Sequence, residues 1–83
     1  MEDIIVFPNP TSDKLTLRYE LSEGQEVNVQ LKDLSGKVIY RETTTATQGV
    51  NQMELNMSKF NSGMYFLQLE TDNKLHIEKV MKF

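Results

Sequence analysis

His76 is the chain's single histidine, so imidazole chemistry would have to begin there. A catalytic or metal-binding imidazole needs partners at defined positions, either a nucleophile and an orienting carboxylate or further ligands. His76 instead lies between Leu75 and Ile77, and that alternation predicts a surface histidine on the solvent side of a strand. Asp13, Asp33 and Asp72 each fall in a turn signal, where aspartate is favoured for its own hydrogen bonds to the backbone. Their spacing matches no calcium loop. No Gly-x-Ser-x-Gly elbow presents a serine, and no base stands near one. The chain has no cysteine, which removes disulfides and thiolate metal sites together. These residues predict a protein that is not an enzyme and needs neither cofactor nor metal.

Binding residues are more plentiful. Tyr19, Tyr40 and Tyr65 with Phe7, Phe60 and Phe66 could form an aromatic platform for a sugar. In so short a chain their burial in the core is the expected use, because few other large side chains are available. Phe66 and Met64 fall on the face opposite the predicted core, and exposed apolar strips of that kind mark partner contacts. At the C-terminus, Lys74, Lys79 and Lys82 are interspersed with Leu75, Ile77, Val80 and Met81. One reading is an edge strand protected by lysine. The other is a strand offered to a receptor by β-augmentation, and self-pairing with a second copy would use the same edge.

The 83 residues allow one domain near the lower size for a self-sufficient core. Apolar residues make up 39% and charged residues 25%, a globular balance. A net charge of −3 with no basic run argues against nucleic acid. No apolar stretch approaches the roughly 18 residues of a membrane helix. Met1-Glu2-Asp3 is acidic where a signal peptide would be basic, so an extracytoplasmic role predicts release from a longer precursor. The domain is assigned to residues 3–83, with Met1 and Glu2 as linker or an introduced start.

The elements that must position these residues read as strands. Ile4-Ile5-Val6-Phe7 is a continuous apolar run, which predicts a strand buried on both faces or changing sheet. Pro8-Asn9-Pro10 then makes a rigid corner. Leu15, Leu17 and Tyr19 alternate with polar residues, as do Val27, Val29 and Leu31. Asp33 to Lys37 predicts a hairpin loop with Gly36 left-handed. Val38-Ile39-Tyr40 begins a strand that decays into Thr43-Thr44-Thr45-Ala46-Thr47, which predicts an edge strand passing into a loop. Met53, Leu55 and Met57 make a fifth strand, followed by a single turn with Ser58 as its cap and Phe60 tucked beneath. Tyr65, Leu67 and Leu69 form the inner face of a sixth, with Tyr65 placed to act as a tyrosine corner. Asp72-Asn73 predicts a two-residue hairpin, and the phase change from Leu75 and Ile77 to Val80 predicts a β-bulge near Glu78-Lys79. About seven strands, with a turn signal every 8–12 residues, predict an immunoglobulin-like antiparallel β-sandwich.

The order of the motifs carries a resemblance. Phe7-Pro8-Asn9-Pro10, Asp33-Leu34-Ser35-Gly36-Lys37-Val38, Leu55-Asn56-Met57-Ser58, Ser62-Gly63-Met64-Tyr65-Phe66 and Lys79-Val80-Met81-Lys82 follow one another along nearly the whole chain. The set resembles the type A C-terminal sorting domain of the type IX secretion system of Bacteroidetes. That resemblance implies a secretion address rather than an activity. It implies an N-terminal passenger, passage from the periplasm through an outer-membrane translocon, removal by a sortase-like peptidase, and delivery to the cell surface or medium. Cleavage would fall in the linker before Ile4. By motif, Pro8, Asn9 and Pro10 match the N-terminal signature, Gly36, Gly63 and Tyr65 the central ones, and Lys79, Val80, Met81 and Lys82 the element expected to meet the translocon. The alternative is a β-sandwich adhesion or carbohydrate-binding accessory module, or a structural spacer.

Overall fold

The computed structural model describes residues 4–72 and 74–83. The chain forms β1 (Ile4–Phe7), β2 (Lys14–Leu21), β3 (Gln25–Lys32), β4 (Val38–Ala46), β5 (Gly49–Asn56), β6 (Gly63–Glu70) and β7 (Leu75–Lys82), with no helix among the described residues. Three strands make one sheet in the order β1-β2-β5, and four make the other in the order β4-β3-β6-β7. Neighbouring strands pair antiparallel throughout. This is the predicted immunoglobulin-like sandwich, with the fourth strand in the sheet of β3, β6 and β7.

The core follows from period-two alternation. Leu15, Leu17, Tyr19 and Leu21 face inward from β2, with Leu55 and Met57 beside them. Opposite stand Val27, Val29 and Leu31 of β3, Tyr65, Leu67 and Leu69 of β6, and Val80 of β7. Burying one such aliphatic side chain stabilises the fold by about 1.5–3 kcal/mol, which a domain without disulfide or metal needs from packing alone.

Two turns make their own supports. In the hairpin between β3 and β4, the Asp33 carboxylate accepts from the Ser35 and Lys37 amides and from the Ser35 hydroxyl. Those donors favour the ionised form and hold the carboxyl below the usual aspartate range, the Ser35 hydroxyl contributing most. Gly36 has φ +91°, the left-handed geometry expected of it. Before β6, the Tyr65 hydroxyl donates to the Asn61 carbonyl four residues upstream, the predicted tyrosine corner, and the Phe60 ring packs 6.2 Å from it.

The structure corrects five expectations. β1 is not buried on both faces: Ile4 and Val6 pack against the core, while Ile5 and Phe7 on this edge strand point outward. β4 is the edge strand expected, but it does not decay at its threonines and pairs with β3 as far as Ala46. Threonine suits a strand whose outer side chains meet water. The turn after β5 is capped by Asn56, whose side chain accepts from the Ser58 amide and hydroxyl, so Ser58 is the donor and not the cap. No bulge interrupts β6 and β7, which pair in unbroken register from Gly63↔Lys82 to Glu70↔Leu75. The register shift lies between Leu31 and Lys32 instead, leaving Ile39 unpaired at the mouth of the β3–β4 hairpin. Finally, β7 carries its alternation in the opposite phase: Val80 is buried, His76 and Glu78 are half-buried, and Leu75 and Ile77 are exposed at 54% and 55%. Asn73, half of the predicted second hairpin, lies outside the described residues. The Thr71 amide donates to the Lys74 carbonyl and closes that turn.

Candidate functional site

β7 is an edge strand, and its outward backbone groups define the site. The Met81 amide donates to Asn9 Oδ1 at 3.0 Å, and Asn9 Nδ2 donates to the Lys79 carbonyl at 2.9 Å. The Asn9 side chain thus presents an acceptor and a donor to β7 as a peptide unit of a neighbouring strand would. Thr11 continues the pairing: its amide donates to the Met81 carbonyl and its carbonyl accepts from the Phe83 amide, both at 2.9 Å. Thr11 and Lys82 form a parallel bridge. The Thr11 hydroxyl donates to the Lys14 carbonyl, and Thr11 is buried, so the strap is anchored to the start of β2.

The corner that makes this contact follows from the sequence between β1 and β2. Pro8 and Pro10 each remove a backbone donor, and both follow cis peptide bonds. The chain therefore leaves the three-stranded sheet after Phe7 and crosses to the edge of the other one. Sequence reasoning placed a rigid corner here but missed what the corner holds. The signal was an amide side chain between two prolines, a residue able to donate and accept where its neighbours' backbones cannot donate.

The predicted recognition residues are thereby separated. Lys79 and Met81 project from the outer face of the four-stranded sheet, with Met81 exposed at 42%. Val80 is in the core, and Lys82 is half-buried at the strand's end. Gly63 and Tyr65 lie on β6 beside them, paired with Lys82 and Val80. Gly36 sits at the loop that closes β3 and β4. Pro8, Asn9 and Pro10 approach β7 through the Asn9 contacts. Four of the five motifs therefore converge on one sheet and its edge, through backbone pairing and the Asn9 side chain, while Leu55-Asn56-Met57-Ser58 ends β5 in the three-stranded sheet.

The remaining candidates do not make an active centre. His76 Nε2 lies 3.0 Å from Glu78 Oε1 on the sandwich side of β7, a pair that the predicted solvent-facing position had not anticipated. Among the described residues no three metal-ligating side chains come together. Tyr19 and Tyr65 are buried and Tyr40 and Phe60 pack against the core, as the sequence suggested. Phe7 departs from that expectation: its ring lies 5.8 Å from the Arg18 guanidinium on the outer face of the three-stranded sheet. Phe66 is on the outer face of the other sheet, so Phe7 and Phe66 share no platform. Burial, and then the Glu42 carboxylate, push the Tyr19 phenol above its ordinary pKa.

Comparison with known sequences matches residues 5–82 to the secretion system C-terminal sorting domain. The chain belongs to that family, the C-terminal sorting domains of type IX secretion. It is 32% identical over 82 residues to an endo-acting ulvan lyase of Formosa agariphila, covering 96% of this chain and 15% of that protein. It is 31% identical over 80 residues to an ulvan lyase of Nonlabens ulvanivorans, covering 92% of this chain and 14% of that one. The sorting domain thus spans about a seventh of the length of these relatives. The family is non-catalytic, in keeping with a site made of backbone edge and apolar side chains. A domain of this kind marks a protein for export across the outer membrane.

Proposed function

We infer that this domain is the C-terminal address of a longer secreted protein, carrying a fused N-terminal passenger from the periplasm through the type IX translocon. Removal by a sortase-like peptidase, in the linker before Ile4, would accompany attachment of the passenger at the cell surface. The observation that carries this reading is family membership from residue 5 to residue 82. The geometry supports it: the N-terminal Pro-Asn-Pro signature and the C-terminal lysine-bounded signature are joined by Asn9, so the ends of the domain act as one unit. The ulvan lyases among its relatives make a polysaccharide-degrading enzyme a reasonable passenger.

The test is a fusion of the domain to the C-terminus of a periplasmic reporter, in a type IX-competent host and in the same host lacking the translocon. Reporter at the surface or in the medium of the first strain alone is the expected result. Retention in the periplasm of both strains overturns the reading.

A further inference from the structure

Backbone groups alternate sides along an unbulged strand. The Met81 amide and carbonyl and the Lys79 carbonyl face away from β6, where the strap binds them. Because the register with β6 is unbroken, the amide and carbonyl of Ile77 and the amide of Lys79 face the same way. The strap reaches only from Lys79 to Phe83. Among the described residues nothing pairs with the edge from Leu75 to the Lys79 amide. Beside it, Leu75 and Ile77 stand more than half exposed on the outer face, and Ile77 continues into a shallow groove with Phe66, Gln68, Leu34 and Lys32.

Both signs of charge stand around that groove: Lys32 and Asp33 line it, Glu70 is opposite Leu75, and Lys79 is the cation on β7 itself. The register sets Phe66 between Lys32 on β3 and Lys79 on β7. Asp33, also at the groove, has its carboxylate committed to Ser35 and Lys37. A strand added beside β7 would find backbone partners at Ile77 and Lys79, apolar contacts at Leu75 and Ile77, and a cation at Lys79.

We propose that the address is read at the Leu75–Lys79 half of β7, by an extended receptor segment that adds to the open edge and carries acidic and apolar side chains. The Lys79–Lys82 half is the part that Asn9 and Thr11 close, and the strap sets where the added strand must stop. This rests on the sorting function inferred above, and locates its recognition surface away from the terminal lysine pair.

Proline at position 77 provides the test, because it removes an amide that faces away from β6 and spares the β6–β7 ladder. In the reporter fusion, Ile77→Pro is expected to fold and to lower export about tenfold, which corresponds to about 1.4 kcal/mol for the one hydrogen bond lost. Ile77→Glu keeps the backbone amide but opposes an acidic partner, and is expected to lower export similarly. It serves where the proline variant fails to fold. Lys79→Glu should reduce export while leaving the circular-dichroism melt close to the parent's. Export of folded Ile77→Pro or of Ile77→Glu at the parent level overturns the docking edge, and unchanged export of Lys79→Glu overturns the acidic partner. A domain that sediments as a dimer, and as a monomer once Ile77→Pro is introduced, would assign the edge to a second copy and also overturn the proposal. A parent fusion that is never exported counts against the sorting function itself, which keeps the two failures distinct.

Discussion

The four-stranded sheet has two edges, and they are protected differently. Along β4 the outward side chains Arg41, Thr43 and Thr45 are polar and exposed, and the irregularity at Leu31 and Lys32 distorts the pairing near the hairpin. Along β7 the outward residues Leu75, Ile77 and Met81 are apolar and exposed. Polar side chains and a bulge are common ways to discourage strand addition. β7 uses neither on its outer face beyond Lys79. It is closed by another part of the chain instead, and only along the half that Asn9 and Thr11 reach. An edge closed by a strap can stop at a defined residue, whereas one protected by composition is discouraged along its length. The difference suggests that β4 is a boundary and that β7 is a surface.

The sharpest way to break this comparison is to exchange the two sides of the β7 backbone. Glu78→Pro removes an amide that faces β6, unlike Ile77→Pro, and should destabilise the domain by roughly 2 kcal/mol or more, seen as a lowered denaturant midpoint. Equal effects at the two positions would mean that the outward assignment of Ile77 is incorrect. Next is the strap. Asn9→Ala removes a donor and an acceptor together and should cost about 1–2 kcal/mol. Hydrogen exchange should show the Met81 amide losing protection while the β3 amides keep theirs. Asn9→Asp should be at least as damaging, because a carboxylate oxygen would face the Lys79 carbonyl.

Smaller effects test the supports of the sheet. Tyr65→Phe removes the hydroxyl bond to Asn61 and should lower stability by about 1 kcal/mol, with native far-ultraviolet circular dichroism retained. The pH profile should show two directions. Tyr19 has its pKa raised above 10.0 by burial, so its contribution is present below pH 10.0 and is lost as the pH rises through the folded value. Asp33 has its pKa lowered from 3.8, so its contribution is present above pH 3.8 and is lost as the pH falls through the folded value. The Asp33 effect should be the smallest, since the carboxylate is in full contact with solvent. Asp33→Asn should flatten the acid limb without changing the neutral midpoint appreciably.

Much of the fold was legible because its strands alternate. Leu15, Leu17 and Tyr19, and again Tyr65, Leu67 and Leu69, repeat with the period that buries one face of a sheet, and turn residues mark the ends. The errors lie on edge strands. Ile4 to Phe7 looked doubly buried because all four residues are apolar, yet an edge strand of a three-stranded sheet has one face and one side open. Leu75 and Ile77 looked like an inner face because they are the apolar residues, and a bulge was expected to restore Val80. The structure leaves them outside in a regular strand, which makes their apolar character available for binding. His76 and Glu78 occupy the inner side at the rim, where the sandwich does not enclose them and they can pair with each other.

The sequence by itself determined a small β-sandwich, and its ordered motifs pointed to a sorting domain. Periodicity, turn chemistry and composition are local properties, and these conclusions needed nothing more. The tertiary structure decided which half of β7 is closed and which is open. That depends on Asn9 and Lys79, separated by 70 positions in the chain and joined by a hydrogen bond of 2.9 Å. No local pattern contains it, because the partner of a polar side chain is chosen only when two distant backbones are brought side by side.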